Sequence, residues 1–130
     1  MNNSTRSELR ILALKLRDLR NFIIIQKEYD KEDFLKKIEE IKEKISDIEM
    51  DEREKYDNLS EGLKLSVNGD AIYNAFITLS DVVGTLEEIR DTKEELIKTR
   101  INESLEYISE VTGDTGTAFE EKLLQEPVKK

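Results

Sequence analysis

Apolar side chains recur along this chain at alternating intervals of three and four residues, which places them on one stripe of an α-helix. The first stripe comprises Leu9, Leu12, Leu16, Leu19 and Ile23. Leu14, Phe22, Ile24 and Ile25 fall off it, so this segment ends apolar nearly all round. A helix of that kind is normally enclosed by more than one neighbour, which makes Phe22, Ile23, Ile24 and Ile25 the expected centre of packing or of subunit contact. A second stripe, Phe34, Ile38, Ile41, Ile45 and Ile48, keeps strict four–three spacing. Lysines and glutamates fill the positions between, including Glu40 and Lys44, four apart with the acid first, the favourable order on a helix. At Asp30-Lys-Glu-Asp two readings stand: Asp30 caps a new helix, or one helix continues and the stripe shifts phase. A break or bend near residues 29–31 is preferred.

After Ile48 the stripe reaches Glu52 and Lys55 and ends. Asn58, Ser60, Gly62 and Asn68-Gly69 then supply turn chemistry, with Leu59, Leu63, Leu65 and Val67 as apolar pins and Ser66 as the next helix cap. A third stripe runs through Ile72, Ala75 or Phe76, Leu79, Val82 or Val83, Leu86 and Ile89, then Leu96 or Ile97, Ile101, Leu105 and Ile108, weakened only at Thr92-Lys93. Unbroken from Ser66 to Val111, this helix would be roughly 65–70 Å long at about 1.5 Å per residue. Thr112-Gly113 stops it, Gly113 being the natural C-terminal cap. Residues 118–125 form either a further short helix through Phe119, Leu123 and Leu124 or part of a tail, and Pro127 ends them.

These stripes predict an all-α protein: a long helical hairpin of two to three helices over residues 1–112, reversing near 57–68. Residues 113–130 follow as a flexible tail or a short docked helix. The chain has 130 residues with only 6% aromatics and no Trp, so its core is aliphatic and thin. Thin cores are completed by association, and the expectation is a coiled-coil-like bundle formed by a homodimer or higher oligomer.

Charge narrows the function classes. The net charge of −9 argues against direct nucleic-acid binding, which draws on a basic surplus. The longest apolar run, Phe22–Ile25, is far too short to span a bilayer, and the N-terminus carries no secretory pattern, so a cytoplasmic protein without membrane association is expected. No Cys or His is present, which removes thiolate and imidazole chemistry and the metal sites built on them. Acidic groupings such as Glu39/Glu40/Glu43 and Asp47 to Glu54 are read as solvated helix faces at this Glu content. No phosphate loop or calcium loop is complete. The expectation is no cofactor, no metal and no enzymatic activity.

The bend is where aromatic, amide and glycine residues gather: Asp51-Glu52-Arg-Glu54-Lys-Tyr56-Asp57-Asn58-Leu59-Ser60-Glu61-Gly-Leu63, then Ser66-x-x-Gly69-x-Ala71. It resembles a motif of small acidic helical proteins common in phage and prophage genomes. Those carry an acidic helix, an aromatic-Asp-Asn-Leu/Met-Pro-Glu-x-Leu bend, and Ser with Gly-x-Ala opening a second helix. The likeness spans roughly Ile38 to Ile89, and the chain departs from it in having Ser60 where Pro is usual. It implies a helical hairpin, dimeric, in a phage context in the host bacterial cell, and adds provenance rather than mechanism.

Tyr56, Asp57, Asn58, Glu61 and Lys64 are the candidate contacts for a ligand or partner. The competing reading, preferred, is that Asp57, Asn58 and Ser60 satisfy helix ends while Tyr56, Leu59 and Leu63 plug the hairpin tip. The expected function is helix-mediated protein–protein interaction with a host protein, as an inhibitor of a defence factor or an adaptor. The alternative is an oligomer that binds a nucleotide-like molecule at the bends, with Lys64, Arg53 and Lys55 as anion contacts.

Overall fold

The computed structural model describes residues 1–114, 116 and 119–128. Every regular element among them is helical. Helix α1 spans Asn3–Ile25 and is capped by Asn2, whose side-chain oxygen accepts from the Thr5 N–H at 2.8 Å. Residues 26–30 break the chain, and α2 (Lys31–Asp57) starts on Asp30, whose carboxylate accepts from the Asp33 N–H at 3.1 Å. Glu32 and Asp33 in its first turn complement the helix dipole. A one-turn helix α3 (Glu61–Lys64) crosses the bend, and α4 runs Val67–Glu88.

The long helix expected from Ser66 to Val111 does not exist. Ile89–Asp91 tightens into a 3-10 turn, Thr92 adopts an extended backbone, and α5 (Glu94–Thr112) folds back along α4. The Thr92 hydroxyl donates to the Glu88 carbonyl at 2.6 Å and its N–H to Ile89 at 3.1 Å, holding the corner shut. The weak point at Thr92-Lys93 is therefore a full reversal. Gly113, at φ 80°, closes α5 by donating its N–H to Ser109 at 2.9 Å.

Four long helices thus replace the expected two or three. α1 packs on α2 and α5, and α4 packs on α2 and α5, so the chain closes a four-helix arrangement by itself. One apolar cluster joins all four through Leu9, Leu12, Leu16, Phe34, Ile38, Ile41, Ile45, Leu79, Val82, Leu86, Ile97, Ile101 and Leu105, among others. The four–three stripe of α2 is buried along its whole length from Phe34 to Ile48. Its apolar character ends at Ile48 but burial goes on, so the acidic grouping beyond is not wholly a solvated face. Glu49, next in the chain, and Glu52, one turn on, are buried, with Glu49 paired to Arg53 and Glu52 to Lys55 at 3.0 Å.

Of the apolar group at the end of α1, Ile23 is half-buried against the core, Ile24 is half-buried, and Phe22 and Ile25 are exposed. Phe22 stacks edge-on against Tyr29 (centroids 6.0 Å), which stacks on buried Phe34 (5.6 Å). The Tyr29 hydroxyl donates to Glu94 at 2.9 Å, tying the first loop to the start of α5. Burial, then that bond, pushes the Tyr29 phenol up to about 12.

The C-terminal segment docks. Leu123 enters the core and Phe119 packs against it, with Glu120–Leu124 as a short π-helical turn. Arg20, fully buried on α1, donates to the backbone carbonyls of Leu123 (2.5 Å) and Gln125 (2.9 Å) and to Asn102 (2.9 Å). Arg17 adds a bond to the Lys122 carbonyl at 3.0 Å. Burial lowers the pKa of the Arg20 guanidinium below its ordinary value.

Candidate functional site at the helical bend

The bend is assembled from three short pieces of chain, each ended by its own polar cap. α2 stops at Asp57, and the Asn58 N–H donates back to the Glu54 carbonyl at 3.0 Å. Ser60 caps α3 by accepting from the Leu63 N–H at 3.3 Å. Ser66 caps α4 by accepting from the Gly69 N–H at 3.1 Å, and its hydroxyl donates to the Leu63 carbonyl at 2.5 Å. A single serine thus ties the end of α3 to the start of α4, a distribution of polar groups that leaves few orphan helix-end amides.

Gly69 allows the close approach. A Cβ there would lie under 3.0 Å from the carbonyl oxygens of Leu63 and Lys64, both backbone atoms that cannot swing aside. α4 therefore starts in van der Waals contact with the backbone of α3, and a larger residue would force the corner open.

Beneath the corner sits an aromatic triad of Tyr56 from α2 and Tyr73 and Phe76 from α4. Centroids are 5.4 Å apart for Tyr56–Tyr73, 5.6 Å for Tyr56–Phe76 and 5.2 Å for Tyr73–Phe76, within the range of favourable aromatic pairs. Two cations cover it: the Arg53 guanidinium lies 5.4 Å from the Phe76 centroid and the Lys64 ammonium 5.3 Å from that of Tyr56. Phe76 is buried and Tyr73 exposed, so the triad runs from the interior to the surface.

Of the five candidate contacts, the structure brings Tyr56 and Lys64 together through this cation–π contact. Glu61 is exposed and reaches only Lys64, while Asp57 and Asn58 are exposed on the rim away from the pair. Tyr73 and Phe76 complete the cluster without having been singled out, because their proximity to Tyr56 depends on how α4 is laid against α2; Arg53, three residues before Tyr56 on α2, joins it by covering Phe76. The three bases proposed as anion contacts are each engaged by a carboxylate. Arg53 pairs with Glu49, Lys55 with Glu52 at 3.0 Å and Lys64 with Glu61 at 3.6 Å. A nucleotide-like ligand would have to displace those acids.

Of the apolar pins Leu59 is half-buried, whereas Leu63 is 55% exposed, Leu65 86% and Val67 88%, three large apolar residues within five positions at the corner, so Leu63 does not plug the hairpin tip. Scattered exposed apolar residues are ordinary, whereas grouped ones mark contact surfaces. A polar cavity lies on the other flank, between the start of α1 and the end of α2. Asn2, Thr5, Glu8, Asp51, Glu54, Lys55 and Asn58 surround it with Glu52. The buried Glu52 reaches Lys55 and lies 3.7 Å from the Met1 nitrogen, with its Oε2 otherwise unpartnered among the described residues. Among the described residues no group of three or more acids is arranged to hold a metal ion, and no helix is long and apolar enough to cross a membrane.

No family model, no curated protein and no solved structure matches the chain.

Proposed function

We propose that this protein is a non-enzymatic interaction module that binds a protein partner through the α2–α4 corner. The observation that carries the reading is the exposure of Leu63, Leu65 and Val67 on a corner whose geometry is stiffened by Gly69, the Ser66 cap and the aromatic triad. A pre-organised apolar projection loses little conformational entropy on docking, which is what a contact surface requires. Asp57 and Glu61 on the rim add negative charge, so the matching surface on the partner is an apolar recess edged by basic residues. The likeness of the bend motif to the small acidic phage and prophage proteins supports a host bacterial protein as that partner, engaged as an inhibitor or an adaptor.

The test compares the intact chain with a Leu65→Asp/Val67→Asp variant, both immobilised and exposed to bacterial lysate. Both substitutions are at exposed positions, so the melting temperature is expected to hold. One host protein should be retained near equimolar yield by the original chain, be lost from the variant, and rebind when purified. Retention that ignores the two substitutions, or no stoichiometric protein at all, overturns the reading.

A further inference from the structure

The outward face of α1 carries a charge pattern that complements itself. Ile11, Lys15, Asp18 and Phe22 stand four, three and four residues apart, forming one stripe on the side of the helix away from buried Leu9, Leu12 and Leu16. Ile11 is 55% and Phe22 45% exposed. Read from either end, the stripe runs apolar, charged, oppositely charged, apolar. Laid antiparallel on a second copy of itself about the point between Leu16 and Arg17, it sets Ile11 against Phe22 and Lys15 against Asp18, each pair occurring twice.

The neighbouring helix has the same property. Asp33, Lys37, Glu40 and Lys44 again follow four–three–four spacing and line the groove between α2 and α1, whose floor includes buried Leu12, Phe34 and Ile41. Their charges alternate. An antiparallel copy centred between Ile38 and Glu39 places Asp33 opposite Lys44 and Lys37 opposite Glu40, so every acid meets a lysine.

Both centres stand at one height in the fold. The α1 centre lies about 13 Å from the end of α1 at Ile25, and the α2 centre about 11 Å from the start of α2 at Lys31, at about 1.5 Å per residue. Since α1 and α2 are consecutive and antiparallel, a single two-fold axis lying in the contact plane at right angles to the helices serves both stripes. A two-fold running along the helices would instead set Phe22 against Asp33 and Ile11 against Lys44. The first arrangement alone satisfies all eight positions.

We infer that the α1–α2 face is a homodimer interface, occupied by a second copy of this chain with α1 on α1 and α2 on α2, each antiparallel. Such a contact is isologous, as closed two-fold dimers require. The face lies on the helices themselves rather than at the α3 corner, so it adds to the partner-binding reading without resting on it.

Sedimentation equilibrium of the full chain tests it, with Lys15→Asp, Asp18→Lys, their equimolar mixture and the doubly exchanged Lys15→Asp/Asp18→Lys chain. The original chain is expected to form a dimer. Each single substitution turns two attractions into two repulsions and should weaken self-association about tenfold or more. The mixture should recover a heterodimer, because two acids of one variant then face two lysines of the other. The doubly exchanged chain should pair like the original, which also checks that both substitutions are compatible with folding. A monomeric original chain, single variants that associate as well as it does, or a mixture that fails to pair each overturns the inference. Leu65→Asp/Val67→Asp should leave the dimer unchanged, so failure here and failure of the partner reading are separate results.

Discussion

Replacing Gly69 by Ala should destabilise this protein, although glycine-to-alanine changes in helices usually do the reverse. In the interior of a helix Ala is favoured over Gly by about 0.5–1 kcal/mol, because glycine loses more backbone freedom on folding. Gly84 in α4 and Gly62 in α3 have nothing within 4 Å of an added Cβ, so that gain should be realised there. At Gly69 the new methyl would press on the Leu63 and Lys64 carbonyl oxygens at less than 3.0 Å. Relief requires α3 and α4 to separate, which stretches the Ser66 cap, worth about 1 kcal/mol, and loosens the packed corner at an overpacking cost of about 1–3 kcal/mol. Set against the propensity gain, the net loss is about 1–3 kcal/mol. Urea denaturation of Gly69→Ala, Gly84→Ala and the original chain reads all three, with the midpoint falling for the first and rising for the second. Equal upward shifts at both glycines would show that the corner yields freely, and the claim of a rigid projection at Leu63–Val67 would lose its basis.

Arg20→Met should release the C-terminal segment. It removes the donors that satisfy the Leu123 and Gln125 carbonyls, and limited proteolysis within 119–128 should speed up by at least about tenfold for a loss near 1.4 kcal/mol; unchanged cleavage would mean that Leu123 alone holds the segment. Tyr29→Phe should flatten the alkaline limb of stability. The folded phenol titrates at about 12, above its ordinary value near 10, so its contribution is complete below about pH 10 and is lost as pH rises through 12. Comparing denaturation midpoints of the two chains at pH 8 and pH 11 checks this, and an identical alkaline loss in both would refute the role of the Tyr29–Glu94 bond.

The bend was legible as a place before it was legible as a site. Turn residues and serine caps announce where α2 ends and α4 begins, because those are local hydrogen-bonding preferences carried by Ser60, Ser66 and Asn58 themselves. That Tyr56 meets Lys64 follows from a short path across the corner. Tyr73 and Phe76 join them only when α4 lies along α2, and no spacing within one helix encodes that. Arg20 and Glu52 were hidden for a related reason. Glu52 continues the α2 stripe and Arg20 stands beside Leu19 of the α1 stripe, and the charge of each suggests solvent until backbone carbonyls or a lysine are found beside them.

Helical periodicity and cap chemistry, which are local, determined by themselves that this chain is all-α, that Phe34 to Ile48 form a buried seam, that the chain turns near residue 60 and that a helix ends at Gly113, and they favoured a break near Asp30 over a continuous helix. Periodicity states that a stripe must be covered and is silent about what covers it. Only the tertiary structure decided that α5 folds back at Ile89–Thr92 to cover α4 and α1, closing the core within one chain. The physical reason is that no Gly or Pro at Ile89–Lys93 commits the chain to a corner, whereas burying Ile97, Ile101 and Leu105 against α1 and α4 is worth about 1.5–3 kcal/mol per side chain. Local sequence leaves such a corner nearly balanced, and the long-range burial of those side chains settles it.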